Sequence, residues 1–191
     1  MIMRQWIKVS LWSLFFVPVF LAILGAFKFY SSPIETEENR LIRELQKSYA
    51  TRMYEQANLQ CTMIGTGGTK GLDELSFHFH SPLKIEQQKL YEARTIALSC
   101  SETLLNMINS NQSLRPYLVK HPFDHKNIRI IVFFITDKNN SFENRPLWAV
   151  SVNKRGLAYQ VDGDKEYELV DVKTETYREA IRLAKLEDVS L

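Results

Sequence analysis

Hydrophobic residues fall along this chain in three kinds of run, and each kind predicts a different element. The first is unbroken: Val9 to Phe27, VSLWSLFFVPVFLAILGAF, holds no charged residue and only Ser10 and Ser13 as polar side chains. A helix of that length reaches about 28 Å, close to the roughly 30 Å hydrocarbon core of a bilayer. An isolated segment in lipid must bond its own backbone, so residues 9–27 are predicted to be one membrane-spanning helix, with a tolerable kink at Pro18. A cleaved signal peptide needs a shorter apolar core and small residues at the cut, which Leu24-Gly25-Ala26 fits poorly.

The second kind has helical period. Beyond a short linker over residues 28–33 that contains Ser31-Ser32-Pro33, acidic residues precede Leu41, Leu45, Tyr49 and Met53 at four-residue spacing. Early carboxylates suit the positive end of the helix dipole, so an amphipathic helix is expected here. Ser48, Arg52 and Glu55 interrupt any heptad seam, which favours packing on its own domain over a coiled coil. The helix is expected to end before Gly65-Thr66-Gly67-Gly68-Thr69-Lys70-Gly71, read as a flexible connector. The spacing is not that of a Walker loop, and the order helix, loop, strand is the reverse of what a phosphate cradle requires.

A second helical stripe, Leu90, Ala93, Ala97, Cys100, Leu104, Met107 and Ile108, follows Ser81-Pro82, a good cap and first position, and stops at Asn109-Ser110-Asn111. A third begins at the capping box Thr176-x-x-Glu179 and runs through Tyr177, Ala180, Ile181 and Ala184.

The third kind alternates. Leu75, Phe77 and Phe79 oppose Ser76, His78 and His80, a half-buried strand. Ile128 to Ile135 is apolar except for Arg129, as expected of a central strand covered on both faces. Trp148, Val150 and Val152, the turn Asn153-Lys154-Arg155-Gly156, then Leu157, Tyr159 and Val161 form a hairpin signal, and a further strand is expected over Leu169 to Lys173. Residues 112–127 connect these elements. Successive strands after the long helix predict an α+β domain over residues 34–191, with a mostly antiparallel sheet of four to five strands and helices on one face.

Charge adds orientation. Arg4 and Lys8 precede the apolar run, whereas Lys28 is soon followed by Glu35, Glu37 and Glu38. By the positive-inside rule residues 1–8 are cytoplasmic and the domain extracytoplasmic, a single-pass signal-anchor topology for which a bacterial inner membrane is the preferred setting. Without the three flanking cations the remainder is close to neutral, so no nucleic-acid partner is expected. Asn111-Gln112-Ser113 and Asn139-Asn140-Ser141 would accept glycans only in a eukaryotic lumen.

Candidate chemistry is sparse. Cys61 and Cys100 are an even pair that an oxidising compartment could bridge, although Cys100 lies in a core stripe as a buried thiol would. The four histidines form two pairs, His78/His80 and His121/His125. With Asp124 they could supply a zinc shell if the second pair folded over the face of the first. No G-x-S-x-G, H-E-x-x-H or calcium-loop spacing occurs, and Asp162, Gly163, Asp164 and Glu166 read as a turn. Tyr117, Phe123 and Trp148 are candidate contact aromatics. The expected function is therefore a membrane-anchored, non-enzymatic protein-interaction or envelope-assembly module, touching the lipid bilayer through residues 9–27 and a protein partner at the membrane. The alternative is a membrane-tethered metal-dependent hydrolase using the histidine pairs, and a small-ligand binder is a third class.

Overall fold

Strands form at every place where alternation predicts one, and one more forms where there is no alternation. The computed structural model describes residues 35–136, 145–163 and 168–188. The predicted span 9–27, its flanks 1–8 and 28–33, the Asn139-Asn140-Ser141 acceptor and most of the 162–166 turn lie outside them. Among the described residues no helix is long and apolar enough to cross a membrane.

The chain is α+β. Its helices are α1 (Glu37–Ala57), α2 (Leu90–Ser110) and α3 (Tyr177–Asp188). Its strands are β1 (Gln60–Gly67), β2 (Glu74–His80), β3 (Ile128–Phe133), β4 (Ala149–Asn153), β5 (Gly156–Asp162) and β6 (Leu169–Glu175). They make one six-stranded sheet in sequence order, one strand more than the upper end of the four to five expected. The extra strand is β1, which takes up part of the predicted glycine connector. It becomes a strand by pairing with β2, from Gln60↔His80 to Gly67↔Glu74, a tertiary cause that leaves no period in its own sequence.

The sheet is also mixed rather than simply antiparallel, because β2 and β3 run parallel while the other neighbours are antiparallel. Parallel neighbours need a long crossover, and α2 with its connector is that crossover.

The helix predicted from Ser81 starts later, at Leu90. Residues 81–85 are instead held extended: the Ser81 amide donates to the Phe133 carbonyl, and the amides of Ile135 and Leu147 donate to the carbonyls of Leu83 and Ile85. Ile85 is fully buried, so core packing overrides the local capping signal of Ser81-Pro82. By contrast the capping signal at Thr176 holds, with its hydroxyl accepting from the Glu179 amide at 3.2 Å.

One core lies against one sheet face, within the unit Leu41–Leu191. It takes alternate residues from β2 to β5: Leu75, Phe77 and Phe79, then Ile128, Ile130 and Val132, then Val150 and Val152, then Leu157, Tyr159 and Val161. From the helices come Tyr49 and Met53 of α1, Ala93, Ala97 and Leu104 of α2, and Ala180 of α3. Tyr49 is the hinge of this packing. Its ring stands edge-on to Phe77 and Phe79, with centroids 4.6 and 5.7 Å away, and its hydroxyl donates to the Cys100 carbonyl on α2 at 2.9 Å. Fully burying each such side chain contributes roughly 2–3 kcal/mol.

Candidate functional site

Because side chains alternate across a strand, the residues between the core positions face the other way, and pairing aligns them into rows. One row runs Met63, His78, Ile131, Ser151, Ala158 and Thr174 across all six strands. The next runs Gln60, His80, Phe133, Ala149, Gln160 and Asp171. This is the open face of the sheet, the one on which no helix packs among the described residues; Ala149 and Ser151 are buried there and the rest of the two rows is partly or fully exposed.

Phe133 is its centre. His80 lies over it at 5.0 Å, His78 meets it edge-on at 5.8 Å, and Trp148 stands edge-on at 4.5 Å. Trp148 thus departs from the strand alternation that grouped it with Val150 and Val152. It sits one residue before β4 and turns its ring to the Phe133 side. Phe133, Trp148, His78 and Ile131 are half-buried, His80 is exposed, and Met63 at the end of the row is 59% exposed. Burial, and then the nearby Arg129 cation, push the His78 imidazole below its ordinary range, so at neutral pH it is an uncharged aromatic ring.

Beside this cluster the face turns polar. Arg129 pairs with Glu74 at 3.7 Å, and a shallow groove of about 440 Å³ opens among Glu74, Arg129, Ser151, Lys154, Arg155 and Gln160.

The second histidine pair is elsewhere. His125 stacks flat on Tyr177 of α3, 4.6 Å centroid to centroid, and Tyr177 packs on the helix-side core. His121 is exposed. Asp124 caps the short turn His125–Asn127 by accepting from the Lys126 amide, and it pairs with Lys120 at 2.6 Å. Burial lowers the pKa of His125, whereas the Lys120 contact lowers that of Asp124. The structure therefore brings His78 and His80 together, but not with His121, Asp124 and His125. Among the described residues no three His, Cys, Asp or Glu side chains are placed to share a metal ion.

The bridge considered for Cys61 and Cys100 is not formed, and both are free thiols. Burial pushes the Cys100 thiol up to about 12 and raises that of Cys61, which leaves little of the reactive thiolate at neutral pH. Phe123 is core, as is often true of connector aromatics, and Tyr117 is half-buried, its carbonyl accepting from the Leu72 amide.

One polar constellation escaped the sequence reading. Arg94, on the inner side of α2, donates from Nε and Nη2 to the two oxygens of Glu175 at 2.9 and 2.6 Å. Its Nη1 reaches Glu187 of α3 at 2.7 Å. Tyr159 donates its hydroxyl to Glu175 at 2.8 Å, and Lys173 lies 2.7 Å from the other oxygen. Arg94 is 3% and Glu175 0% exposed. Both carboxylate oxygens of Glu175 are bonded and shielded from water, which makes this group a clamp joining α2, α3, β5 and β6. The available signal was Arg94 itself, a charge adjoining Ala93 inside an apolar stripe.

Comparison with protein-family models, with curated proteins and with solved structures found no match to the chain. Function must therefore be argued from the surfaces themselves.

Proposed function

We propose that this protein is a non-enzymatic interaction module, anchored in a membrane by residues 9–27, whose open sheet face receives a protein partner on the extracytoplasmic side. The observation that carries the reading is the half-exposed aromatic group of Phe133, Trp148, His78 and His80. Aromatic side chains dominate the energetic centres of protein interfaces, because they bury large rigid area for little lost side-chain entropy. Ile131 and Met63 extend the patch along its row, and the Glu74/Arg129 groove supplies a polar rim of the kind such interfaces have.

A photoreactive benzoylphenylalanine at His80 tests the surface in cells. A crosslinked partner is expected from that position and not from Tyr54, which is exposed on α1. Phe133→Ala is expected to weaken the association by at least about 2 kcal/mol, roughly thirtyfold, without unfolding the domain. Equal adducts from His80 and Tyr54, or adducts unchanged by Phe133→Ala, would refute the site.

The anchor has its own test. The intact chain should resist alkaline extraction from membranes, and a C-terminal tag should be cut by protease added outside sealed spheroplasts. A tag protected until the cells are lysed would reverse the topology.

A further inference from the structure

The two edges of the sheet are built differently. β6 carries the exposed charges Asp171 and Lys173, and charges on an edge discourage pairing with another chain. β1 has eight residues, QCTMIGTG, with neither a charge nor a proline. Its one irregularity is the register shift between Cys61 and Met63. From Met63 to Gly67 it is a regular strand whose only strand neighbour, among the described residues, is β2. Met63 and Ile64 are 59% and 41% exposed. Alongside this edge runs α1, and the two enclose a groove of about 400 Å³ whose charged lining residues, among the described residues, are Arg43 and Lys47. Cys61, Met63 and Ile64 supply its apolar part.

We propose that β1 is a strand-addition site for an extended, acidic segment of a partner protein. The segment's main chain continues the sheet along β1, its side chains on the α1 side rest on Ile64 and bring carboxylates to Arg43 and Lys47, and the alternate ones pass over Met63 on the other face. Main-chain bonds of this kind give affinity and the flanking side chains give choice of partner. A second copy of the chain would bring the same two cations toward each other, so charge complementarity selects an acidic segment rather than self-pairing. Ile64, Arg43 and Lys47 lie outside the Phe133 cluster and Met63 alone is shared by the two surfaces, so either can fail while the other stands.

Selection of displayed random peptides, roughly ten residues long as strands seldom exceed, against the full-length protein in detergent micelles tests this. The selected sequences are expected to be rich in Asp and Glu among β-branched residues, and poor in proline. A synthetic peptide of that consensus should slow amide exchange in residues 60–67 and leave β6 unchanged. Lys47→Glu and Ile64→Glu, both at exposed positions, should each weaken the peptide by about tenfold while the melting temperature holds. Phe133→Ala should leave peptide affinity unaltered, which separates this site from the aromatic face. Failure to select any sequence, a basic or proline-rich consensus, protection elsewhere than β1, or a dimer in sedimentation that Ile64→Glu dissolves would each overturn the proposal.

Discussion

Arg94→Ala should cost the fold about 3–5 kcal/mol, the range found when one partner of a buried ion pair is removed. The loss comes less from the attraction forfeited than from what remains. Glu175, fully shielded from water, would keep a negative charge with only Lys173 and the Tyr159 hydroxyl to compensate it. Glu187 would lose its tie to α2, loosening the last helix. Denaturant melts of purified protein should show the midpoint fall with little change in slope, equivalent to a drop in melting temperature of roughly 10 °C for a chain this size. Arg94→Lys should recover only part of the loss, since one ammonium cannot bond two oxygens of Glu175 and reach Glu187 as the planar guanidinium does.

The same clamp predicts how acid unfolds the protein. Arg94, Lys173 and Tyr159 together outweigh the cost of burial and hold the Glu175 carboxyl at about 2, below its ordinary 4.5. In the unfolded chain the group takes up a proton as pH falls through 4.5, while in the folded chain it does so only near 2. The stabilisation is therefore complete above about pH 5 and lost on the way down to about pH 2, and it amounts to about 3 kcal/mol. Glu175→Gln should flatten this part of the stability curve as well as lower it, and an undiminished acid slope in that variant would assign the effect to another carboxylate.

How much of this was legible beforehand depended on how local the cause was. The α2 stripe, the β2 alternation, the Lys154-Arg155 turn and the Thr176 cap are each set within a few residues, and each is found in the structure at its predicted place. β1 was not legible, because QCTMIGTG has no period and becomes a strand only beside β2. Ser81-Pro82 misled for the same reason in reverse: a sound local helix signal yields to Ile85 entering the core. The parallel β2–β3 pairing could have been inferred from the long helix between them, since a strand, a helix and a strand in succession make a crossover unit. For the candidate site, the residues of the histidine pairs were visible but their faces were not. Which side His125 occupies follows from its stack on Tyr177, far away in sequence. The Arg94–Glu175 pair spans 81 positions, a separation at which no spacing rule operates.

Gly156→Ala should be nearly as damaging as loss of Arg94, by about 3 kcal/mol or more, although it adds a single methyl group. Gly156 closes the tight β4–β5 turn with φ of +125°, a conformation that side chains rarely adopt. The added Cβ would also lie 2.1 Å from the Glu175 carbonyl oxygen, 2.9 Å from the Thr176 Cα and 3.0 Å from the Tyr177 nitrogen. All three are backbone atoms and cannot rotate aside. Gly65→Ala makes the matched control, for its Cβ would meet only the Ser76 side chain, whose hydroxyl can turn away, and its loss should stay below about 1 kcal/mol. Equal losses at the two glycines would mean that neither the positive φ nor the backbone clash at Gly156 sets the cost. Gly156 and Arg94 press on the same short stretch, where β6 ends at Glu175 and α3 begins at Tyr177. Their effects should therefore not add: once the added methyl group has forced the junction apart, the clamp has already lost its geometry. In the double variant Arg94→Ala/Gly156→Ala the total should fall short of the sum by about 1 kcal/mol or more, within the range of about 0.5–3 kcal/mol seen for coupled neighbours. Strict additivity would show that the clamp and the turn support the fold independently.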